Sequence, residues 1–157
     1  MEQKSLTALI SAFSRAYHAL NNEVTIFNDS LARDLLTDEE FNQIAKNMSD
    51  GIGFFNPSFV GEPEQALRCV VDNQLSPSPL GRAAFAEKSL EWAVRTGTEQ
   101  YLIWGAGYDT FAYRQPLWAK ALQIFEVDHP ATARDKQERL KSAGIVIPDN
   151  VHYIEAD

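Results

Sequence analysis

The 157-residue sequence has one cysteine, three histidines, and 14 lysines and arginines against 22 aspartates and glutamates. Each shortage excludes a class of protein. A single cysteine, Cys69, leaves no internal disulfide to staple the fold, and its surroundings, Ala66-Leu67-Arg68-Cys69-Val70-Val71, read as a helical face that buries it. His18, His129 and His152 share no spacing with cysteine or acids that suits a metal centre, so no metal is expected. The formal charge of -8, without any basic stripe, argues against a nucleic-acid backbone as partner, because phosphate binding rests on clustered Lys and Arg. No run approaches the ~18 to 20 apolar residues of a membrane helix. The start, Met1-Glu2-Gln3-Lys4-Ser5, has no basic segment followed by an apolar run and a cleavage site, so the cytoplasm is the expected address. There is no G-x-S-x-G elbow and no base placed to activate Cys69, which removes the usual hydrolase readings.

What is present is an ordinary globular composition, 45% hydrophobic and 23% charged, on a chain long enough to bury a core. Its character changes near Gly97, so two regions are expected, a helical one over residues 1–97 and a strand-and-helix one over 98–157. In the first, Leu6, Leu9, Ile10, Phe13, Tyr17 and Leu20 recur at helical spacing. Short helices are predicted over Asp29–Leu36 and Thr37–Met48, the latter opened by Thr37 with Glu40 three residues on, the pattern of a capping box. A further helix is predicted over Glu62–Gln74. Ser76-Pro77-Ser78-Pro79 is expected to break the chain before a long helix from about Leu80 to Thr96. In the second region, Tyr101–Trp104, Leu122–Val127 and Val151–Ile154 read as strands, with helices predicted over Thr110–Ala119 and Pro130–Ala143. Continuous apolar strands separated by helices predict an α/β fold: a helical N-terminal region followed by the first half of a Rossmann-like parallel sheet, three strands long. Such a half-sheet leaves its first strand as an open edge, a site for pairing with a partner or a second copy.

The segment carrying chemistry is Ile103-Trp104-Gly105-Ala106-Gly107-Tyr108-Asp109-Thr110, between a predicted strand and a predicted helix. Gly105 and Gly107 allow a tight turn and close approach of a ligand to the backbone, and the helix that follows is expected to offer unpaired N–H groups. About twenty residues on, Phe125-Glu126-Val127-Asp128 sets carboxylates at the end of the next strand, where an acid accepts ribose hydroxyls. The two features together predict an adenosyl ligand. Asp128 has an alternative reading as the cap of the helix beginning at Pro130, and Asp109 as a cap for the helix after the turn. A dinucleotide fingerprint would want a third glycine where Thr110 stands and no acid beside its phosphates. S-adenosylmethionine has no phosphate and carries two cationic groups, so Asp109 attracts it. An NAD-dependent oxidoreductase is therefore the weaker reading.

Gly105-Ala106-Gly107-Tyr108-Asp109-Thr110 with Arg114, then Phe125-Glu126-Val127-Asp128-His129-Pro130 and Lys136, resembles the leucine carboxyl methyltransferase-like family of class I S-adenosylmethionine-dependent enzymes. Phe27-Asn28-Asp29-Ser30-Leu31-Ala32 is similar to the family's early acidic segment. The resemblance implies an O-methyltransferase acting on a carboxylate or hydroxyl of a small or peptide acceptor. It implies a cofactor site drawn from Arg82, Gly105, Ala106, Gly107, Asp109, Glu126, Asp128 and Asp157: Gly105 through its backbone, Asp128 on the ribose, Arg82 on the methionine carboxylate and Asp157 beside the adenine. Departures from the family pattern are Trp104 before the glycines and Phe111 after them. The later strands that complete the family's cofactor and acceptor sites are not in this sequence, so the chain alone is expected to be inactive. A non-catalytic binding or assembly role through the sheet edge is the competing expectation.

Overall fold

A computed structural model describes residues 5–23 and 25–156. The chain forms a helical N-terminal region followed by a three-stranded parallel sheet. It divides into two compact units, one of Leu9–Ala84 and one of the residues up to Ala8 together with those from Phe85 onward. Among the described residues no helix is long and apolar enough to cross a membrane.

The Leu9–Ala84 unit is built on α1 (Leu6–Asn21), α2 (Asp38–Asp50), a single turn α3 (Ile52–Phe55) and α4 (Pro63–Val70). Ala12, Phe13, Ala16 and Tyr17 of α1 are buried, with the Phe13 ring 4.8 Å from that of Phe41 and 5.9 Å from that of Tyr17. The predicted capping box is present: the Glu40 N–H donates to Thr37 Oγ1 and the Thr37 N–H to Glu40 Oε2, at 3.1 and 3.0 Å. Glu62 and Gln65 frame α4 in the same way. The helix predicted over Asp29–Leu36 is instead a chain of turns whose bonds span three residues, from Ala32, Asp34 and Leu36 back to Asp29, Leu31 and Arg33. Asp29 explains the difference. Its carboxylate is buried, takes the Arg15 Nε at 2.8 Å and accepts the Ala32 N–H at 3.2 Å, so it anchors a local turn, and eight residues are too few to nucleate a helix against that competition.

The serine-proline segment also behaves differently from expectation. After a π-helical turn, Val71–Leu75, helix α5 begins at Pro77 and runs to Arg95 without a break. Both prolines fall within the first turn, where backbone N–H groups have no partner inside the helix to lose. The division between the units falls inside α5, between Ala84 and Phe85. Cys69 is half-buried on α4, beside the fully packed Ala66 and Val70.

In the other unit, β1 (Gln100–Trp104), β2 (Gln123–Asp128) and β3 (Val151–Glu155) pair in parallel in the order β1-β2-β3, with Ile103 opposite Glu126 and Glu126 opposite Tyr153. β1 and β3 each gain one residue over the predicted span, and β2 is shifted one residue toward the C-terminus. Tyr101, Ile103, Ile124, Val151 and Tyr153 lie on one face, packed with Leu90, Phe111, Ala112, Ala119 and Leu122 into the core of this unit. Helix α6 (Pro130–Ser142) covers the same face, burying Lys136 and Leu140. The helix predicted over Thr110–Ala119 is two 3-10 turns, Phe111–Tyr113 and Leu117–Ala119. Pro116 cannot donate a helical N–H, and the Gln115 amide folds back to the Ala112 carbonyl at 2.7 Å, so the connection tightens instead of extending.

Candidate functional site

The glycine turn follows directly from the end of β1. Gly105 and Gly107 both adopt left-handed backbone, with φ of +70° and +49°, which side-chain-bearing residues rarely sustain. The Gly105 and Ala106 N–H groups donate to the Val127 carbonyl at 2.8 and 3.2 Å, tying the turn to β2, and the Asp109 N–H closes it on the Ala106 carbonyl at 2.8 Å. A side chain at Gly107 would press on the Ala8 Cβ at 3.2 Å, whereas one at Gly105 would meet only open space. Gly107 is therefore needed for packing, and Gly105 leaves an open strip of backbone.

Asp128, at the end of β2, joins the turn directly. Its Oδ2 accepts the Gly107 N–H at 2.5 Å and its Oδ1 accepts the His129 N–H at 2.7 Å. The cap of α6 is His129, whose Nδ1 accepts the Ala131 N–H at 3.2 Å, so the capping alternative for Asp128 falls away. A carboxylate has about four lone-pair directions, and two bonds to backbone leave each oxygen able to accept one more donor. Asp109 accepts the Phe111 N–H through Oδ1 at 2.8 Å, which closes an Asx-type turn over the start of the first 3-10 segment. That bond, and the three-residue length of the segment, remove the expected supply of helix N-terminal N–H groups.

Glu126 is placed differently from Asp128. It is 3% exposed under α6, and its Oε2 accepts the Lys136 ammonium at 2.7 Å and the Tyr113 hydroxyl at 2.8 Å. The Tyr153 hydroxyl lies 2.8 Å from that of Tyr113; because Tyr113 gives its proton to Glu126, Tyr153 donates to Tyr113. Glu126 Oε1 is buried without a hydrogen-bond partner. Burial pushes the Glu126 carboxyl above the usual carboxylate range, with Lys136 and Tyr113 pulling the other way. Burial likewise raises Tyr113, and it pushes Tyr153 up to about 12. Tyr101, near Asp109 and Glu87, is also pushed up to about 12, chiefly by burial. Arg114 pairs with Glu87 of α5 and donates to Thr110 Oγ1 at 2.8 Å, holding the connection after the turn.

The structure thus brings together Gly105, Ala106, Gly107, Asp109 and Asp128, and turns Glu126 into the buried layer behind them. Arg82 is exposed on α5, in the Leu9–Ala84 unit. Asp157 lies outside the described residues. Sequence reasoning left the surroundings of Lys136 open and did not see Tyr113 and Tyr153 at all. The available signal was an acid in the middle of the apolar strand Ile124-Phe125-Glu126-Val127, which demands a buried cation.

The sequence model of leucine carboxyl methyltransferases matches residues 8–157. The chain belongs to the leucine carboxyl methyltransferase family. It is 46% identical over 159 residues to a Bacillus subtilis (strain 168) protein named "Putative S-adenosyl-L-methionine-dependent methyltransferase YktD", a match covering 99% of this chain and 52% of that relative. Proteins of like name from Mycobacterium sp. (strain KMS) and Mycobacteroides abscessus are 35% and 36% identical over 63 residues, 40% of this chain and 24% and 20% of theirs. The chain therefore spans about half the length of the Bacillus relative and less of the mycobacterial ones.

Proposed function

We propose that this chain carries the cofactor-binding half of an S-adenosylmethionine-dependent methyltransferase that delivers its methyl group to an oxygen, a carboxylate or a hydroxyl. The family's own description favours a carboxylate. The observation that carries the reading is the junction of Asp128 with the glycine turn: a carboxylate fixed by the Gly107 and His129 N–H groups, beside an open strip of backbone at Gly105.

The residues suit the cofactor. Asp128 keeps acceptor capacity on both oxygens for a vicinal pair of ribose hydroxyls, and its two backbone bonds hold those oxygens in place before the ligand arrives. Gly105 lets the ligand lie against the main chain. Asp109 and Asp128 set two carboxylates around the turn, which favours a cofactor bearing a sulfonium and an ammonium over one bearing phosphates. The dinucleotide reading loses further ground because the turn runs into a three-residue 3-10 segment whose first N–H is taken by Asp109. The cofactor supplies an electrophilic methyl group. The protein's task is alignment, in which positioning is worth up to about 7–11 kcal/mol. Glu126, in this reading, supports the strand end from behind, and Arg82 and Asp157 keep the roles that the family resemblance implies.

Calorimetric titration of this chain with S-adenosylhomocysteine tests the reading. Saturable binding is expected, weakened at least tenfold by Asp128→Asn and unaffected by competing NAD. Displacement by NAD, or binding indifferent to Asp128→Asn, would sink it.

A further inference from the structure

Between Gly107 and Asp109 the glycine turn carries a tyrosine, and that tyrosine is buried. Tyr108 is 2% exposed, and its hydroxyl donates to Asp135 Oδ2 on α6, 27 residues along the chain. The same oxygen accepts the Arg139 Nε–H at 2.6 Å, and the Arg139 guanidinium lies 4.9 Å from the centre of the Tyr108 ring. Asp135 and Arg139 stand one helical turn apart on α6, with side chains 19% and 10% exposed. A phenol, a carboxylate and a guanidinium thus close on one another. The cation covers the ring and shares the carboxylate oxygen with the hydroxyl, which keeps that oxygen turned toward the phenol.

These contacts complete a ring of connections around the candidate site. Asp128 Oδ2 accepts the Gly107 N–H at 2.5 Å, Tyr108 is the next residue, and its hydroxyl reaches Asp135. From Asp135, α6 runs back about a turn and a half to Pro130, beside the His129 cap and Asp128 itself. The helix and the aromatic ring are the stiff members of this ring of connections. Gly105 and Gly107 are its loose ones, since glycine has the most backbone conformations to choose from. The Val127 carbonyl holds the start of the turn, and Tyr108 carries the hold across to α6 just past Gly107.

We propose that Tyr108 and Asp135, with Arg139 behind them, are positioning residues of the cofactor site: the phenol, locked on α6, fixes the Gly107 N–H against Asp128 and so sets the carboxylate oxygens before a ligand arrives. The use of those oxygens by a ribose rests on the function proposed above; the hold on the turn does not. Filling space requires the ring and not the hydroxyl, so Tyr108→Phe separates the two roles. It keeps the ring and the cation above it, and removes the bond to Asp135.

Amide exchange of the ligand-free chain, followed by NMR, comes first. Tyr108→Phe should speed exchange of the Gly107 N–H about tenfold, the loss expected when a hydrogen bond to a charged group is removed. Leu122→Val, a core change just before the far end of β2, should lower stability and leave Gly107 exchange as it was. Asp135→Ala should reproduce the effect of Tyr108→Phe, and the double variant should be no worse than either single one, because both remove the same bond. Calorimetric titration with S-adenosylhomocysteine should then show affinity about tenfold weaker in each single variant. Unchanged Gly107 exchange in Tyr108→Phe, an equal rise in Leu122→Val, or single effects that add in the double variant would each overturn the hold on the turn. Faster exchange with affinity unmoved would overturn the positioning role. Failure of the unaltered chain to bind S-adenosylhomocysteine would instead remove the cofactor reading, and with it the ribose, while the exchange result still decides the hold on the turn.

Discussion

Glu126 and Asp128 stand two residues apart on one strand and on the same side of the sheet, yet their surroundings divide them sharply. Glu126 is shut beneath α6 with a cation, a phenol and an unsatisfied oxygen. Asp128 stands at the rim, holding two backbone N–H groups with acceptor capacity to spare. With Lys136 and Tyr113 both on its one bonded oxygen, the buried carboxylate supports the fold. The rim carboxylate can afford a ligand. Strand position alone decides this, because the last residue of a parallel strand meets the turn and the one before it on the same face meets the covering helix.

The sharpest way to break the comparison is to remove the cation from the buried side. Lys136→Ala leaves the Glu126 charge uncompensated in a site where both side chains are 2% exposed, and should cost about 3–5 kcal/mol of stability in denaturant unfolding. Joint replacement by Glu126→Gln and Lys136→Met should recover most of that loss, since burial of a well-made pair is close to neutral against apolar groups of similar volume. A small effect of Lys136→Ala alone would mean that water reaches Glu126, and the distinction between the two acids would weaken.

On the rim side the glycines provide a smaller and more discriminating change. Gly105→Ala meets open space and should cost only the left-handed backbone term, about 1–2 kcal/mol. Gly107→Ala carries the same term plus the contact with Ala8, and should be the worse of the two in thermal unfolding. For binding of S-adenosylhomocysteine the order should reverse per unit of stability lost, because the methyl group at Gly105 occupies the strip assigned to the ligand. Equal loss of binding for both would indicate that the turn serves packing alone.

These contrasts also show what could be read from sequence. The capping box at Thr37, the helical stripe of α1 and the three strands were legible because local spacing determines them. The meeting of the glycine turn with Asp128 was legible too, since neighbouring parallel strands bring their ends together. The turns at Asp29–Leu36 were not, because they depend on Arg15 reaching Asp29 across another element. Nor was the buried layer: Tyr113 and Tyr153 are 40 residues apart and meet only once β3 has taken its place beside β2. The serine-proline segment misled in the opposite direction, since proline's effect depends on where the helix starts, and here it starts just before both prolines matter.

Alkaline titration offers the finest test, because it probes the buried layer without altering any residue. Tyr153 and Tyr101 have folded values near 12 against an ordinary value of 10, with burial as the main cause, and Tyr113 is raised as well. A raised value means that the folded state holds the phenolic proton more tightly than the unfolded chain does. The stability these groups contribute is then complete below pH 10 and is lost as the pH climbs from 10 through 12. Absorbance near 295 nm should therefore show Tyr101 and Tyr153 titrating close to pH 12, with stability to denaturant falling over the same window and little change between pH 8 and 10. Lys136→Ala should loosen this layer and bring the Tyr153 transition back toward 10. If the intact fold ionises all five of its tyrosines around pH 10, the layer behind Asp128 is open to solvent, and Glu126 is as free to meet a ligand as its neighbour.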